Sequence, residues 1–383
     1  MNSKKTHTVI ISGGGTGGHY YPAIAIAEAV QRLSAEMLKN VRIECYYIGS
    51  RFGIERRMIT KSGLPYTLLP IKGFSRYLSV RAVLQNCLLP FRLVKAWMIT
   101  LLLYRKKDPA ATIVTGGYAA AVPGYLSGRR RIPLFIQEQN AFPGLTSRML
   151  SKHAMTFFYA YEEVKEHIKH DVLFVQSGNP VRRDITAVKK SEARRIFDLE
   201  KDLFTIFIFG GSQGSLSINT YIAERIKSWV YKYKIQILWQ TGEASHLMLK
   251  QKFGQHFRIH PVKYIDNMAA AYSAADMVIS RAGALTLAEI SKMRVPAILV
   301  PLPGAAGNHQ YHNAKALENK GCAVIVEEKD FPDNPFTRHL NDMINDPEKL
   351  AAMRNNFPHR EEDAVDTIAA SVINSLRSFY AWS

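Results

Sequence analysis

Short apolar runs recur along this chain, separated by stretches in which apolar positions return every three or four residues. The first reads as a β-strand, then helix, then β-strand pattern: "HTVIIS" is a buried strand, Pro22 to Leu38 has helical spacing, and "VRIECYYIGS" is a second strand. "ATIVTGG", "IPLFIQEQN" and "AMTFFYA" predict further strands, each followed by a turn or helix signal. After "VQSGNPVRRD" the pattern restarts with "LFTIFIFGGSQG" and a helix from Leu216. "KIQILWQTG", "FRIHPVKYI", "ADMVISRAG", "PAILVPLP" and "CAVIVEE" continue this second series. Near-continuous apolar strands alternating with helices imply parallel sheets covered on both faces. The fold class is therefore α/β, with two Rossmann-like domains expected over 1–180 and 181–360. The final stretch, 361–383, reads as an amphipathic helix with no strand after it, able to pack back on the N-terminal domain.

Bulk composition agrees with this division. A chain of 383 residues exceeds the usual size of one domain, and 47% hydrophobic residues suffice for two cores. The three cysteines, Cys45, Cys87 and Cys322, are scattered, which suits a reducing compartment and offers no metal framework. The start of the chain lacks the apolar core and cleavage site of a signal peptide, and no apolar run is long enough to span a bilayer. The expected location is cytoplasmic, or peripheral on the cytoplasmic side. The net charge of +18 is uneven: 24 Lys and Arg face 10 acids up to Pro180, whereas 26 face 22 beyond it. From Arg56 to Lys107 there are eleven cations and no acid. Such a surface seeks nucleic acid, anionic lipid or an anionic substrate.

Gly13, Gly15 and Gly18 fit G-x-G-x-x-G between a strand and a helix, a turn suited to phosphate. A dinucleotide site also expects an acid at the end of the second strand, but "YYIGSRFG" has none and Glu44 lies mid-strand. A Walker A lysine is absent too. Diphosphate binding without NAD or ATP is the functional reading; a ligand-free tight turn is the plain one. Gly210–Gly214 repeats the arrangement in the second domain, and "TGGY" (Thr115 to Tyr118) ends another strand of the first. Three glycine clusters at carboxyl ends of parallel strands suit a reaction joining two phosphate-bearing molecules.

"GGTGGHYYPAIAIAEAV", "TGGY", "EQN", "GNPVR", "GGSQG", "YIDNMAAAYSAADMVISRAGALTLAEI" and "NHQYHNA" occur in the order found in the MurG family, which the chain resembles from Val9 to about Ala316. The resemblance implies a GT-B fold, with two Rossmann-like domains facing across a cleft. It implies inverting transfer of N-acetylglucosamine from UDP-N-acetylglucosamine to the C4 hydroxyl of undecaprenyl-diphospho-N-acetylmuramoyl-pentapeptide, at the cytoplasmic face of a bacterial inner membrane. Acceptor-diphosphate contacts would be Gly14, Gly15, Thr115, Gly116, Gly117 and Tyr118. Thr16, Gly17, Gly18, Asn140, Thr286, Gln310 and Ile265 carry over as donor contacts, Ile265 through its backbone to uracil. Glu289 would take the ribose hydroxyls, since a carboxylate offers two acceptors to a diol; the plainer role is a first-turn acid favoured by the helix dipole.

The chemistry needs a base for the hydroxyl and charge stabilisation for the leaving diphosphate. His19 stands at a helix N-terminus, where the dipole disfavours the imidazolium by roughly 0.3–1 kcal/mol. It is a candidate base or a hydrogen-bonding group only. Glu138 is the other candidate, with an orienting role as its alternative. No Asp-x-Asp follows a strand, and His309 and His312 lack acidic or cysteine company, so no metal and no cofactor are expected. The leaving group would instead meet helix N-termini around Ser212 and Ala284–Leu285. Arg182 adds a fixed cation, or else makes an interdomain salt bridge.

Two positions depart from the family pattern. Gln137 stands where "HEQN" has histidine, which removes any proton role there, and Gly307 stands where an acid is usual. Leu88 to Lys107 combines apolar bulk, Trp97 and cations at both ends. Part of it must be a buried helix. Leu89, Phe91, Leu93, Trp97, Arg92 and Lys95 are the expected patch for anionic inner-membrane lipid. A related glycolipid transferase or UDP-sugar epimerase is the alternative enzyme. A nucleic-acid binder is disfavoured because the cations accompany no recognisable motif and the glycine loops would lack a purpose.

Overall fold

The computed structural model describes residues 5–73, 79–182, 184–211, 214–358 and 363–382. The chain forms two compact units, Met1–Val181 with Glu361–Ser383, and Arg182–Arg360. The first is built on a parallel sheet of β1 (Lys5–Ser12), β2 (Val41–Ser50), β3 (Tyr66–Leu69), β4 (Ala111–Val114), β5 (Leu134–Glu138), β6 (Thr156–Tyr159) and β7 (Leu173–Gln176). Their spatial order is β3-β2-β1-β4-β5-β6-β7. β1 pairs with β2 at Val9–Cys45 and with β4 at Val9–Ala111, so the strand order reverses between β1 and β4. Loops following β1 and β4 therefore open at a topological switch point, where open α/β sheets bind ligands.

Four helices place this unit's chemistry. α1 (Gly17–Met37) follows β1, α2 (Leu89–Lys107) leads into β4, α3 (Ala121–Arg129) follows β4, and α4 (Leu145–Leu150) follows β5. In the second unit α5 (Leu216–Tyr233) follows its first strand, α6 (Ala284–Met293) its fourth, and α7 (His309–Asn319) comes later. The C-terminal α8 (Ala364–Tyr380) returns to the first unit. Its Ile368, Val372, Ile373 and Leu376 share one core cluster with Ala23, Ile26, Ala27 and Val30 of α1. An Arg32–Asp366 ion pair flanks the seam. The second unit's sheet contains β8 (Thr205–Phe209), β9 (Gln236–Gln240), β10 (Ile259–Val262), β11 (Met277–Ser280), β12 (Ala297–Leu299) and β13 (Ala323–Ile325). Its order, β10-β9-β8-β11-β12-β13, has the same reversal between β8 and β11.

Two local differences from the sequence reading bear on function. α1 begins at Gly17, not Pro22, and Pro22 lies inside it. The proline lacks the N–H that would bond the Gly18 carbonyl, yet the helix passes through it. His19 is thus a first-turn residue. β3 and β7, which the pattern did not predict, are short strands at the two sheet edges, with exposed ends where period and burial leave little signal.

Candidate active site

The loop after β1 is held from beneath by a carboxylate. Glu55, fully buried, accepts from the Gly15 N–H at 3.1 and 3.0 Å through its two oxygens, and from the Ser50 N–H at 2.8 Å. A Cβ on Gly14 would stand 2.3 Å from Glu55 Oε1, and Gly15 has φ +91°, so this loop requires glycine. The Gly15 N–H is thus paired with Glu55 in this structure. Thr16 is the N-cap of α1 without a side-chain cap, and its carbonyl receives His19 and Tyr20 N–H groups. The first-turn donors of Gly17 and Gly18 have no partner within the helix.

His19 packs on the turn after β4. Gly116 and Gly117 have φ +93° and +74°; a Cβ on Gly117 would stand 2.2 Å from the Gly14 carbonyl oxygen, and one on Gly116 3.0 Å from His19 Nδ1. The turn is shaped to admit the imidazole. Nδ1 lies 2.9 Å from the Thr115 carbonyl oxygen and 3.0 Å from Gln139 Oε1. The Gln139 amide nitrogen faces the Thr115 carbonyl at 2.8 Å and both the side-chain and backbone oxygens of Gln137, which fixes its oxygen towards the ring. With acceptors on that side, Nδ1 carries the proton and donates, and Nε2 carries the lone pair. Thr115 Oγ1 donates to the His19 carbonyl at 2.7 Å and closes the unit.

Glu138 is buried, and its oxygens serve its own loop. Oε1 accepts from the Asn140 backbone and side-chain N–H groups at 3.0 Å each, and Oε2 from Gly144 N–H at 3.0 Å. This geometry makes Glu138 an anchor for the 140–144 loop and for Asn140.

In the second unit a pocket of about 550 Å³ opens over the β8 and β11 loops, lined by Gly210, Gly211, Gly283, Thr286, Gln310 and Arg281 among others. Ser212 lies outside the described residues. The N-termini of α5 and α6 bring Ser215 and Ala284–Leu285 to this region, and both helices present positive dipole ends. Arg281 is buried and donates to Ser215 Oγ at 2.7 Å, to Ser217 Oγ at 2.9 Å and to the Val300 and Pro301 carbonyls, while pairing with Glu328. Gln310 Oε1 accepts from Leu302 N–H at 3.0 Å. Ile265 N–H donates to Gln240 Oε1 at 2.8 Å. Glu289 Oε2 accepts from the Tyr272 hydroxyl at 2.9 Å; Oε1 lies 3.9 Å from Arg182 Nε, which also approaches Asp184 at 3.6 Å. Burial raises the Glu289 carboxyl above its ordinary value, against the opposing pull of Tyr272 and Arg182. Among the described residues no three His, Cys, Asp or Glu side chains form a metal-sized cluster.

Residues 9–159 match the glycosyltransferase family 28 N-terminal domain, and residues 205–368 match the family's C-terminal domain. The UDP-N-acetylglucosamine--N-acetylmuramyl-(pentapeptide) pyrophosphoryl-undecaprenol N-acetylglucosamine transferase of Salinibacter ruber is 36% identical over 379 residues, 97% of this chain and 98% of the relative. The transferase of the same name from Carboxydothermus hydrogenoformans is 35% identical over 351 residues, covering 91% and 92%. The chain belongs to this transferase family. Among solved structures, Acinetobacter baumannii MurG covers 97% of the chain and 99% of its own length at 25% identity, with a TM-score of 0.71. A UDP-N-acetylglucosamine 2-epimerase, 11% identical with a TM-score of 0.61 over 99% of this chain and 97% of its own, shares the fold alone.

Against the transferase family's pattern, Gln137 is part of a buried amide chain, with Nε2 donating to Asn179 Oδ1 at 3.3 Å and Asn179 Nδ2 to the Gln139 carbonyl at 2.8 Å. Gly307 has φ +62°, a backbone in which the family's acid would be strained. In α2 only Ala96, Thr100 and Tyr104 are buried, one seam four residues apart; Phe91, Leu93, Val94, Met98 and Leu102 are exposed, and Leu89 and Trp97 partly so. Lys95 is exposed with this face, whereas Arg92 turns back over the Phe52 ring at 5.2 Å. No helix among the described residues is long and apolar enough to cross a membrane. Glu55, Gln139, Arg281 and Glu328 were missed by motif reading. The usable signals were a lone acid inside a cationic stretch and an arginine directly after a buried strand.

Proposed function

We propose that this chain moves N-acetylglucosamine from UDP-N-acetylglucosamine to the C4 hydroxyl of undecaprenyl-diphospho-N-acetylmuramoyl-pentapeptide, with inversion at the anomeric carbon. Family membership over nearly the whole chain supports the activity. One observation carries the mechanism: His19 Nδ1 is held by two acceptors, so Nε2 is the basic nitrogen. The acceptor oxygen forms a bond to the anomeric carbon as the bond from that carbon to the diphosphate breaks. The hydroxyl proton passes to Nε2, and UDP leaves with the bonding electrons.

On the donor side, Glu289 Oε1 takes the ribose hydroxyls and the Ile265 carbonyl accepts from the uracil N–H. Arg281, the N-termini of α5 and α6, and Thr286 with Gln310 meet the diphosphate sugar. These fixed positive ends carry the leaving-group charge, and the reaction needs no cofactor. In the first unit Thr16, Gly17 and Gly18 offer the open end of α1 to phosphate, and the Thr115–Tyr118 turn orients His19. The exposed apolar face of α2, with Lys95, rests on anionic lipid at the cytoplasmic face of the membrane.

The deciding assay measures UDP release from UDP-N-acetylglucosamine with a lipid-linked muramoyl-pentapeptide acceptor. Absence of release rejects the activity. Full turnover by His19→Ala rejects the base while leaving the activity standing.

A further inference from the structure

Tyr272 lies in the core of the second unit, buried to 1% exposure on the short helix Met268–Ala274. Its ring shares one core cluster with Leu287 and Ile290 of α6. It meets Phe207 and Phe209 of β8 edge-on, at 5.7 and 6.0 Å between centroids. A phenylalanine would fill that space with less desolvation, because a buried hydroxyl needs a partner. The Tyr272 hydroxyl has one in Glu289 Oε2, at 2.9 Å. Glu289 stands on α6, the helix that also carries Thr286 to the pocket over the β8 and β11 loops. Its side chain is only 16% exposed, so a phenol and a carboxylate are both held out of water to make this one contact.

The contact divides the work of the carboxylate. Oε2 is held by the phenol. Oε1 has a looser neighbour, Arg182 Nε at 3.9 Å, and that guanidinium is shared with Asp184 at 3.6 Å. Burial and the adjacent carboxylate push the Tyr272 phenol well above its ordinary value, so it stays protonated and donates wherever Glu289 is ionised. The terminal torsion of a glutamate is soft, and nothing in its own side chain fixes the carboxylate plane. A phenol locked by packing fixes it from outside; without the hydroxyl the carboxylate is free to turn towards Arg182. We infer that Tyr272 is a positioning residue for ribose recognition: by holding Oε2 it presents Oε1 of Glu289 to the 2′- and 3′-hydroxyls of the donor nucleotide, and so sets the preference for ribose over 2′-deoxyribose. This rests on the contact between Glu289 and the ribose proposed above.

Calorimetric titration with UDP and with 2′-deoxy-UDP reads this without turnover. Wild-type protein is expected to prefer UDP by about thirtyfold, the range of one hydrogen bond to a charged group. Tyr272→Phe is expected to weaken UDP by about tenfold and 2′-deoxy-UDP far less, cutting the preference to about fivefold. In steady state its donor KM should rise while kcat stays within about twofold. Phe207→Leu loosens the packing of the ring but keeps the hydroxyl, so it should lower Tm and retain the preference. An unchanged preference in Tyr272→Phe, or equal weakening of both nucleotides, overturns the positioning role. Loss of the preference in Phe207→Leu in step with Tm overturns it as well. The contact beneath it fails differently: equal binding of both nucleotides by wild type, or the wild-type preference kept in Glu289→Gln, rejects ribose recognition by Glu289 and the Tyr272 role with it.

Discussion

Gln139 Oε1 and His19 Nδ1 stand 3.0 Å apart, and the Gln139 amide is held in that orientation by the Thr115 carbonyl and by Gln137. The imidazole proton is thereby kept on Nδ1. Replacing the amide with a carboxylate at the same distance would stabilise the imidazolium. Gln139→Glu is therefore expected to lower kcat, because the imidazolium partner is favoured over the neutral ring the reaction needs. Gln139→Ala should lower kcat by roughly tenfold with little change in donor KM, since the ring loses one of the two acceptors that fix its tautomer. Unchanged kcat in both variants would show that Gln139 does not position the His19 ring for the reaction.

Glu289 links donor binding to pH. Its carboxyl is raised in the folded protein, chiefly by burial. The proposed contact with the ribose diol calls for the ionised form, so donor KM should rise as pH falls through a window that begins above the ordinary carboxylate value. The stability effect has the opposite sense: within that window the native state holds a proton that the unfolded chain has lost, so stability falls as pH rises. Glu289→Gln should raise donor KM by about tenfold and flatten its pH dependence, with Tm unchanged or slightly higher. Steady-state kinetics and thermal melts from pH 4 to 8 (roughly the range over which a raised carboxyl titrates) check both signs.

Glu55 is a stability residue of the first glycine loop. Three backbone hydrogen bonds converge on it from Gly15 and Ser50, with no cation paired to it among the described residues. Glu55→Ala leaves those buried donors unsatisfied and is expected to lose about 2–3 kcal/mol. Gly14→Ala and Gly53→Ala should destabilise as well, because their added Cβ atoms would stand 2.3 and 2.1 Å from the Glu55 oxygens. Chemical denaturation of each variant measures this.

The alternation of apolar strands and helices made the two α/β units legible, because buried parallel strands leave continuous apolar runs such as Val9–Ile11 and Ile206–Phe209. The glycine clusters marked the loops for the same physical reason: Gly15, Gly116, Gly117 and Gly211 all have positive φ. Partner choice within the site was not legible. That Glu138 spends its oxygens on Asn140 and Gly144, or that Gly15 donates to Glu55, depends on contacts between segments that no local pattern encodes. The helical period of Leu89–Lys107 could not say which side is covered; a seam of Ala96, Thr100 and Tyr104 is the answer.

The exposed face of α2 should bind anionic vesicles at low salt and release them as salt rises, since Lys95 and the basic end at Arg105–Lys107 act through a screened field. Phe91 is 75% exposed, so Phe91→Ser should weaken vesicle binding without affecting Tm. Sedimentation across a salt series tests this, and salt-independent binding would contradict the electrostatic part.

Arg281 and Glu328 set the charge of the pocket over the β8 and β11 loops. Glu328 pairs with the guanidinium and accepts from Ser217 Oγ at 2.6 Å, so a resident carboxylate lies where a diphosphate is proposed to bind. Glu328→Gln keeps an oxygen for these donors and removes the repulsion. It is expected to lower the Kd for UDP several-fold, by about 1 kcal/mol. Arg281→Ala has the reverse effect twice over, losing the cation and leaving Glu328 unpaired. UDP affinity should fall by about a hundredfold and stability by about 2–3 kcal/mol, less than for a fully buried pair because Glu328 is partly exposed. Adding Glu328→Ala to Arg281→Ala should restore part of both, because the second change removes the stranded charge. Calorimetric titration with UDP and denaturation of wild type, Arg281→Ala, Glu328→Ala and the double variant close the cycle; strictly additive effects would mean that the two side chains act independently.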